Sequence, residues 1–416
     1  MTLRASELGA LTDALAAVLP LTEPADALLY HFFRRHPKLG QRDRSFVAEH
    51  VFTTLRHLRS LTAQTGATDA RKLAIGAVMR AGLSLREIAG AISPAEREWA
   101  ENLKRHKPSL LPAEIAELPD WLWQRLGEVM PASERDALAK AWLAAAALDL
   151  RINPLMIKRD AAREALAASG VLAEATPHSP LGLRVAGRPA LQQHALYTSG
   201  AIEVQDEGSQ LLCFLVAPKR TEMVVDFCAG AGGKTLLLGA MMRSQGRLYA
   251  FDVSPRRLSR LKPRLARSGL SNVQPTRIEH ERDAHVKRLA GKIDRVLVDA
   301  PCTGLGTLRR NPDLKWRQTP ATIAELVVKQ AKILASAATL VKRGGHLVYA
   351  TCSVLPEENE AIVDAFLAQQ QDFELRDATV ELARAGIALD TGPLLRLLPH
   401  RHGCDGFFAA VMERKP

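Results

Sequence analysis

The spacing of apolar residues divides the chain into three stretches. Across residues 1–145 they recur every three or four positions, as in ADALLYHFFRRH (25–36), DRSFVAEHVFTTLRHLRSL (43–61) and RDALAKAWLAAAALDL (135–150). That spacing puts one apolar stripe on each helix. Pro37, Pro94, Pro108, Pro112, Pro119 and Pro131 punctuate the stripes, and no strand-like alternation stands out. An all-helical domain is expected. Residues 146–220 change period. LDLRINPLMIK and LGLRVAG read as strands, DAAREALAAS as a helix, and SGAIEVQDEGSQLL as a strand and a turn into a helix. They predict a small α/β linking module. From 221 to 416 strands alternate with helices: MVVDFCA, RLYAFDVS, VQPTRIE, DRVLVDA, GHLVYATCS, FELRD and GFFAAVME are the strands. Such alternation predicts a Rossmann-like, mainly parallel, doubly wound α/β sheet. Ligands of these sheets bind beyond the carboxyl ends of the strands.

Composition narrows the function classes. No apolar run among the 416 residues is long enough to span a bilayer. The first twenty residues carry scattered charges and read as an amphipathic helix, not a signal peptide. A net charge of +11 suits a polyanion such as nucleic acid, although a merely basic protein has the same balance. Aromatic residues, at 5%, are too sparse for a broad base-stacking platform. The five cysteines, Cys213, Cys228, Cys302, Cys352 and Cys404, are odd in number and contain no Cys-x-x-Cys pair. A disulfide framework or a metal site is not expected, and a reducing cytoplasm is.

The stretch DFCAGAGGKT (226–235) follows the first strand of the sheet. A phosphate loop would need glycine where Cys228 stands, and a dinucleotide fingerprint finds only Gly230 and Gly232. What remains is a glycine turn that lets a ligand lie against the backbone. Asp252 ends the next strand, where a carboxylate can hold ribose hydroxyls or cap the helix that follows. A ribose without a pyrophosphate site points to S-adenosylmethionine. In EHERDAHVK, Asp283 is the candidate for the adenine amino group, with Glu281 as its rival.

Two strands end in a cysteine: DRVLVDAPC at Cys302 and HLVYATC at Cys352. Carbon 5 of cytosine is a poor nucleophile. A thiolate adding at carbon 6 makes the ring enamine-like and able to take a methyl group. Such chemistry needs a thiolate at a strand end, plus an acid on the base ring, for which Asp299 stands three residues before Cys302. A single buried cysteine is more often inert, so Cys213, Cys228 and Cys404 are read as structural.

DFCAGAGGKT, DRVLVDAPCTGLGTLRRNPDLKW and YATCSVLPEENE together resemble the RNA cytosine-5 methyltransferases of the Nol1/Nop2/Sun family, most of all its bacterial 16S rRNA methyltransferase B branch. RDRSFVAEHVFTTLRHL is similar, more loosely, to the NusB-like helical domain of that branch. The resemblance implies Cys352 as nucleophile, Cys302 as the product-release residue, Asp299 on the cytosine ring and Lys234 near the active site. It implies that Ala229, Gly230, Ala231, Gly232, Gly233, Lys234 and Thr235 line the cofactor with Asp252, Asp283 and Asp299. In the DNA enzymes the Pro-Cys cysteine attacks instead. This chain departs from the family's Ala-Ala-Pro-Gly-Gly-Lys turn by losing the proline. It also lacks a Gly-Asp-Gly pattern around Asp283.

In TGLGTLRRNPDLKWR, Arg309, Arg310, Lys315 and Arg317 are expected to hold RNA phosphates beside Cys302, the alternative being a surface loop anchored by Trp316. His400, Arg401 and His402 are open between RNA-binding and structural roles. A flipped cytosine is least costly to extract from unpaired RNA. The expected partner is RNA, small-subunit rRNA in particular, for a monomeric enzyme. A tRNA substrate and a non-catalytic rRNA-binding assembly factor are the alternatives.

Overall fold

Leu8, Leu11, Leu15 and Val18 form one face of the helix Ala5–Val18, and all are buried. They pack with Leu29 and Phe32 of the helix Ala25–Arg35, Val47, Val51 and Leu55 of Gln41–Arg56, and Leu73 and Ile75 of Ala70–Arg80. The apolar stripes read from the sequence thus close on one another. The computed structural model describes residues 2–105 and 108–416. It divides into two units: residues 1–145 with 308–320, and residues 146–307 with 321–416. Among the described residues of 1–145 there is no strand.

The second unit holds two sheets. The smaller is antiparallel, with spatial order β2-β3-β1-β4, built from β1 (Leu148–Ile152), β2 (Ala173–Ala175), β3 (Gly182–Val185) and β4 (Ile202–Val204). Ala162 and Leu166 of the helix Arg159–Ala168 cover Leu150, Ile152, Leu183 and Val185. The three-residue β2 is too short to give a period and was not expected.

The larger sheet follows from strands buried on both faces, which read as continuous apolar runs. Its members are β5 (Met223–Asp226), β6 (Arg247–Asp252), β7 (Val273–Arg277), β8 (Ile293–Asp299), β9 (Val341–Thr351), β10 (Phe373–Arg376), β11 (Leu395–Leu397) and β12 (Phe407–Arg414). The order is β10-β12-β9-β8-β5-β6-β7, with β11 on β12. From β7 to β9 neighbours are parallel, and β12 runs antiparallel to β9. This is the doubly wound sheet expected from the alternation. The chain order reverses between β5, with β6 on one side, and β8 on the other. That switch point opens a crevice at the strands' carboxyl ends. Among the described residues no helix is long and apolar enough to cross a membrane.

Candidate active site

Parallel pairing of β8 with β9 sets Asp299 opposite Ala350. The chain therefore emerges from both strands side by side, and the two cysteines follow within three residues. Cys302 Sγ and Cys352 Sγ lie 3.3 Å apart. Gly306 N–H donates to the Cys352 carbonyl at 2.8 Å and so stitches the two loops together. A Cβ at Gly306 would stand 2.2 Å from the Gly406 carbonyl oxygen, so only glycine allows that approach. The Cys302 thiol is held well above its ordinary range by its hydrogen bond with Cys352, by burial, and by the negative charge of Cys352 and Glu358.

Asp299 closes β8, and Lys234 stands in the first turn of the helix Gly233–Met241. Their side chains form an ion pair at 2.6 Å. Burial pulls the Lys234 ammonium down, but Asp299 more than offsets it and the group ends above its usual value. Lys234 Nζ also sits 5.6 Å from the Phe407 ring centre. Asp299 keeps 28% of its side chain exposed against 12% for Lys234, so the carboxylate is the partner open to a ligand.

The turn between β5 and that helix bends through Gly230 (φ 57°) and Gly232 (φ 83°). At Gly230 and Gly233 a Cβ would meet nothing within 4 Å, so the backbone there lies open to close approach. The Asp252 carboxylate, at the end of β6, accepts from the Gly230 N–H at 2.9 Å and the Ser254 N–H at 2.7 Å. It therefore fixes the turn and starts the next helix, with lone pairs left over. The Ala231 and Gly233 carbonyls accept at 2.6 Å from Arg264 and the buried Arg151. Asp226 Oδ2 accepts from Thr235 Oγ1 at 2.7 Å, while Oδ1 is buried with no hydrogen-bond partner among the described residues. Burial pushes this carboxyl up to about 7, against the Thr235 hydrogen bond. Open glycine backbone, an orphaned acceptor and a carboxylate at the second strand's end suit the amino acid and ribose of S-adenosylmethionine.

Asp283 caps the helix Ala284–Arg288. Its oxygens accept from the Glu279 N–H, the His285 N–H and the His285 ring. These donors hold its carboxyl far below the usual range. The expectation for Lys315 needs correction. The segment 308–320 belongs to the helical unit. There Lys315 is buried and donates to the Arg56 carbonyl at 2.9 Å, and Trp316 donates to the Leu55 carbonyl at 2.7 Å. The Arg309 side chain is also buried, and its carbonyl accepts from Arg56. These contacts, made between segments far apart in sequence and inside the helical unit, are packing, not a phosphate surface. Arg310 and Arg317 are half-buried, Arg317 pairing with Asp313 at 3.5 Å. His402 Nδ1 accepts from the Leu398 N–H and closes its own turn. Cys213 and Cys404 are fully buried, and burial pushes Cys213 up to about 12. Sequence reading missed Glu358 and Arg151. The signal for Glu358 was present, as one of three carboxylates directly after a strand end. Nothing in the local pattern marked Arg151 apart from other strand residues.

Similarity to known proteins adds to this geometry. Residues 213–413 match the family described as 16S rRNA methyltransferase RsmB/F, and residues 118–192 match the ferredoxin-like domain of RsmF/B-like methyltransferases. The chain is 37% identical over 321 residues to a probable ribosomal RNA small subunit methyltransferase B of Synechocystis, covering 77% of this chain and 71% of that protein. It is 30% identical over 301 residues to the protein of the same name in Bacillus subtilis, covering 71% and 66%. Among solved structures, that of PH0851 superposes over all of both chains with a TM-score of 0.81 at 25% identity.

Proposed function

The chain belongs to the RsmB/F family of 16S rRNA methyltransferases, and on that premise we propose that it methylates carbon 5 of a cytosine in small-subunit rRNA through a covalent Cys352 adduct. The observation that carries this reading is the pair of sulfurs 3.3 Å apart at adjacent strand ends, beside Asp299 and Lys234.

S-adenosylmethionine, the cofactor of the family, supplies an electrophilic methyl group on a sulfonium. Residues 229–235, Asp226 and Asp252 would hold it, with Asp283 a candidate for the adenine. Cys352 adds its sulfur to carbon 6 of the cytosine, and the ring electrons move toward carbon 5. Asp299, paired with Lys234, orients the base through its partly exposed carboxylate and stabilises charge as it develops. After methyl transfer a water molecule takes the carbon-5 proton, the electron pair of that bond re-forms the carbon-5–carbon-6 double bond, and the Cys352 sulfur leaves carbon 6 with its own bonding pair. Cys302, held as a thiol by its surroundings, assists that release. Across the 3.3 Å contact the Cys302 thiol donates its proton to the departing Cys352 sulfur and is reprotonated from water.

A denaturing gel of Cys302→Ala and Cys352→Ala after expression in cells tests the scheme. Cys302→Ala should migrate partly as a slow, nuclease-sensitive RNA adduct, and sequencing the RNA would identify the target. An adduct in Cys352→Ala instead would reverse the two roles. No adduct in either would overturn covalent catalysis.

A further inference from the structure

The scheme above uses nothing from the segment after Cys352, yet a fully buried carboxylate from that segment reaches both cysteine loops. Glu358 closes the short 3-10 turn Pro356–Glu358. Its Oε1 accepts from the Thr303 N–H at 2.8 Å and from Gln330 Nε2 at 3.0 Å. Its Oε2 accepts from Thr303 Oγ1 at 2.6 Å and from Ser353 Oγ. Thr303 follows Cys302 directly, and Ser353 follows Cys352. Gln330 Nε2 also donates at 3.0 Å to the carbonyl of Pro301, the residue before Cys302. On the other flank, Asn359 accepts from Thr351 Oγ1 at 2.5 Å and donates to the Ser353 carbonyl at 3.2 Å.

The segments 301–303 and 351–353 are thus fastened to one carboxylate and its two amide neighbours. An ionised carboxylate is acceptor-only with about four lone-pair sites, which matches four converging donors. The carboxylate has all its acceptor sites used and is held rigidly by them, although Gln330 Oε1 is buried with no hydrogen-bond partner among the described residues. The Glu358 side chain itself bonds to neither sulfur; it acts through the residues next to them. Its charge adds to the burial and the Cys352 hydrogen bond that keep Cys302 a thiol.

We infer that Glu358 is a positioning residue for methyl transfer, setting the spacing of the Cys302 and Cys352 sulfurs by holding Thr303 and Ser353 on one buried carboxylate. This rests on the covalent reading given above. A misplacement of about 1 Å at a reacting group can cost roughly a hundredfold in rate. Glu358→Ala in the full-length protein should therefore lower kcat about a hundredfold while KM for S-adenosylmethionine stays within about twofold, because no cofactor-turn residue bonds to Glu358. Thr303→Val with Ser353→Ala keeps Glu358 but removes both hydroxyls, and it decides the matter if Glu358→Ala does not fold. It should lower kcat about tenfold at constant cofactor KM. In the Cys302→Ala background, Glu358→Ala should reduce the trapped RNA fraction to the same degree as kcat. An unchanged kcat in the Thr303→Val/Ser353→Ala protein, or kcat and cofactor KM worsening together, would overturn the positioning role. A Cys302→Ala parent that traps RNA, with an equally trapped Glu358→Ala double variant, would overturn it alone. A parent that traps none would overturn the Cys352 adduct and this inference with it.

Discussion

The Sγ atoms of Cys302 and Cys352, fifty residues apart in sequence, stand 3.3 Å apart. A disulfide requires about 2.05 Å between sulfurs, so a small movement of either loop would join them. Diamide, a two-electron oxidant that takes up the two thiol hydrogens, should form that bond and abolish methyl transfer. Dithiothreitol should restore activity in full. Cys213 and Cys404 are fully buried and the Cys302 and Cys352 sulfurs are already 3.3 Å apart, so mass spectrometry of the oxidised protein should find the 302–352 cross-link first. Activity that survives complete 302–352 oxidation would deny both sulfurs a part in the reaction.

The ion pair between Lys234 and Asp299 makes a second prediction. Lys234→Met removes the partner that keeps the Asp299 carboxylate in place, and Asp299→Asn removes the charge itself. Each should lower kcat by roughly a hundredfold or more, the range seen when an electrostatic group at a reacting centre is lost. RNA affinity in a filter-binding assay should change little. A loss of RNA affinity with normal kcat would place the pair in binding instead.

Burial gives Asp226 a pH signature. Its folded pKa, about 7, lies above the ordinary 3.8. A raised folded value means the stabilising contribution is complete below the ordinary pKa and is lost as pH rises through about 7. Asp226→Asn is spared that loss. The stability difference, variant minus wild type, should grow by ~2 kcal/mol between pH 5.5 and pH 7, read from urea unfolding. A difference that stays flat with pH would mean that Asp226 is ionised throughout.

The parallel sheet was legible because its strands are buried on both faces and its helices are not. DRVLVDA and GHLVYATCS therefore read as uninterrupted apolar runs, and their ends marked the crevice. β2 and β11 span three residues each, too few to show a period, and neither was read; β4, equally short, was marked only by the turn into the helix that follows it. The pairing of Lys234 with Asp299 and the meeting of the sulfurs follow from strand order, which periodicity does not encode. TGLGTLRRNPDLKWR misled for a physical reason. Arginine, lysine and tryptophan together are what an RNA surface uses, and also what a segment needs to bond helix-end carbonyls. Only the partners, Arg56 and Leu55, separate the two.

Lys315 is open to direct test. Burial pulls its ammonium down from 10.5 to about 7, with Glu117 opposing. A depressed folded value means the stabilising contribution is present above the ordinary pKa and is lost as pH falls toward 7. Lys315→Met has no charge to bury. Its stability relative to wild type should be about 3 kcal/mol more favourable at pH 7 than at pH 9.5. The slope of RNA affinity against salt should be unchanged, because a buried amine releases no counterion. A slope shallower by about one would return Lys315 to the phosphate contacts.

The two bent glycines of the cofactor turn should respond differently to one methyl group. Gly230 and Gly232 both have positive φ, a conformation that costs an L-residue roughly 1–2 kcal/mol. At Gly230 the added Cβ meets open space, so Gly230→Ala carries that backbone cost alone. At Gly232 the Cβ would lie 2.1 Å from Leu261 Cδ1, a fully buried side chain. The helix Pro255–Arg267 that carries Leu261 also supplies Arg264 to the Ala231 carbonyl, so a shift there moves the turn. Gly232→Ala should add an overpacking cost of about 1–3 kcal/mol to the backbone cost and weaken S-adenosylmethionine binding at least tenfold. Gly230→Ala puts its methyl into the space left open for the ligand, so it should weaken binding at least as much as Gly232→Ala while costing less stability. Calorimetric titration with S-adenosylmethionine ranks the two. Unchanged binding by Gly230→Ala would mean that the cofactor does not lie on that residue.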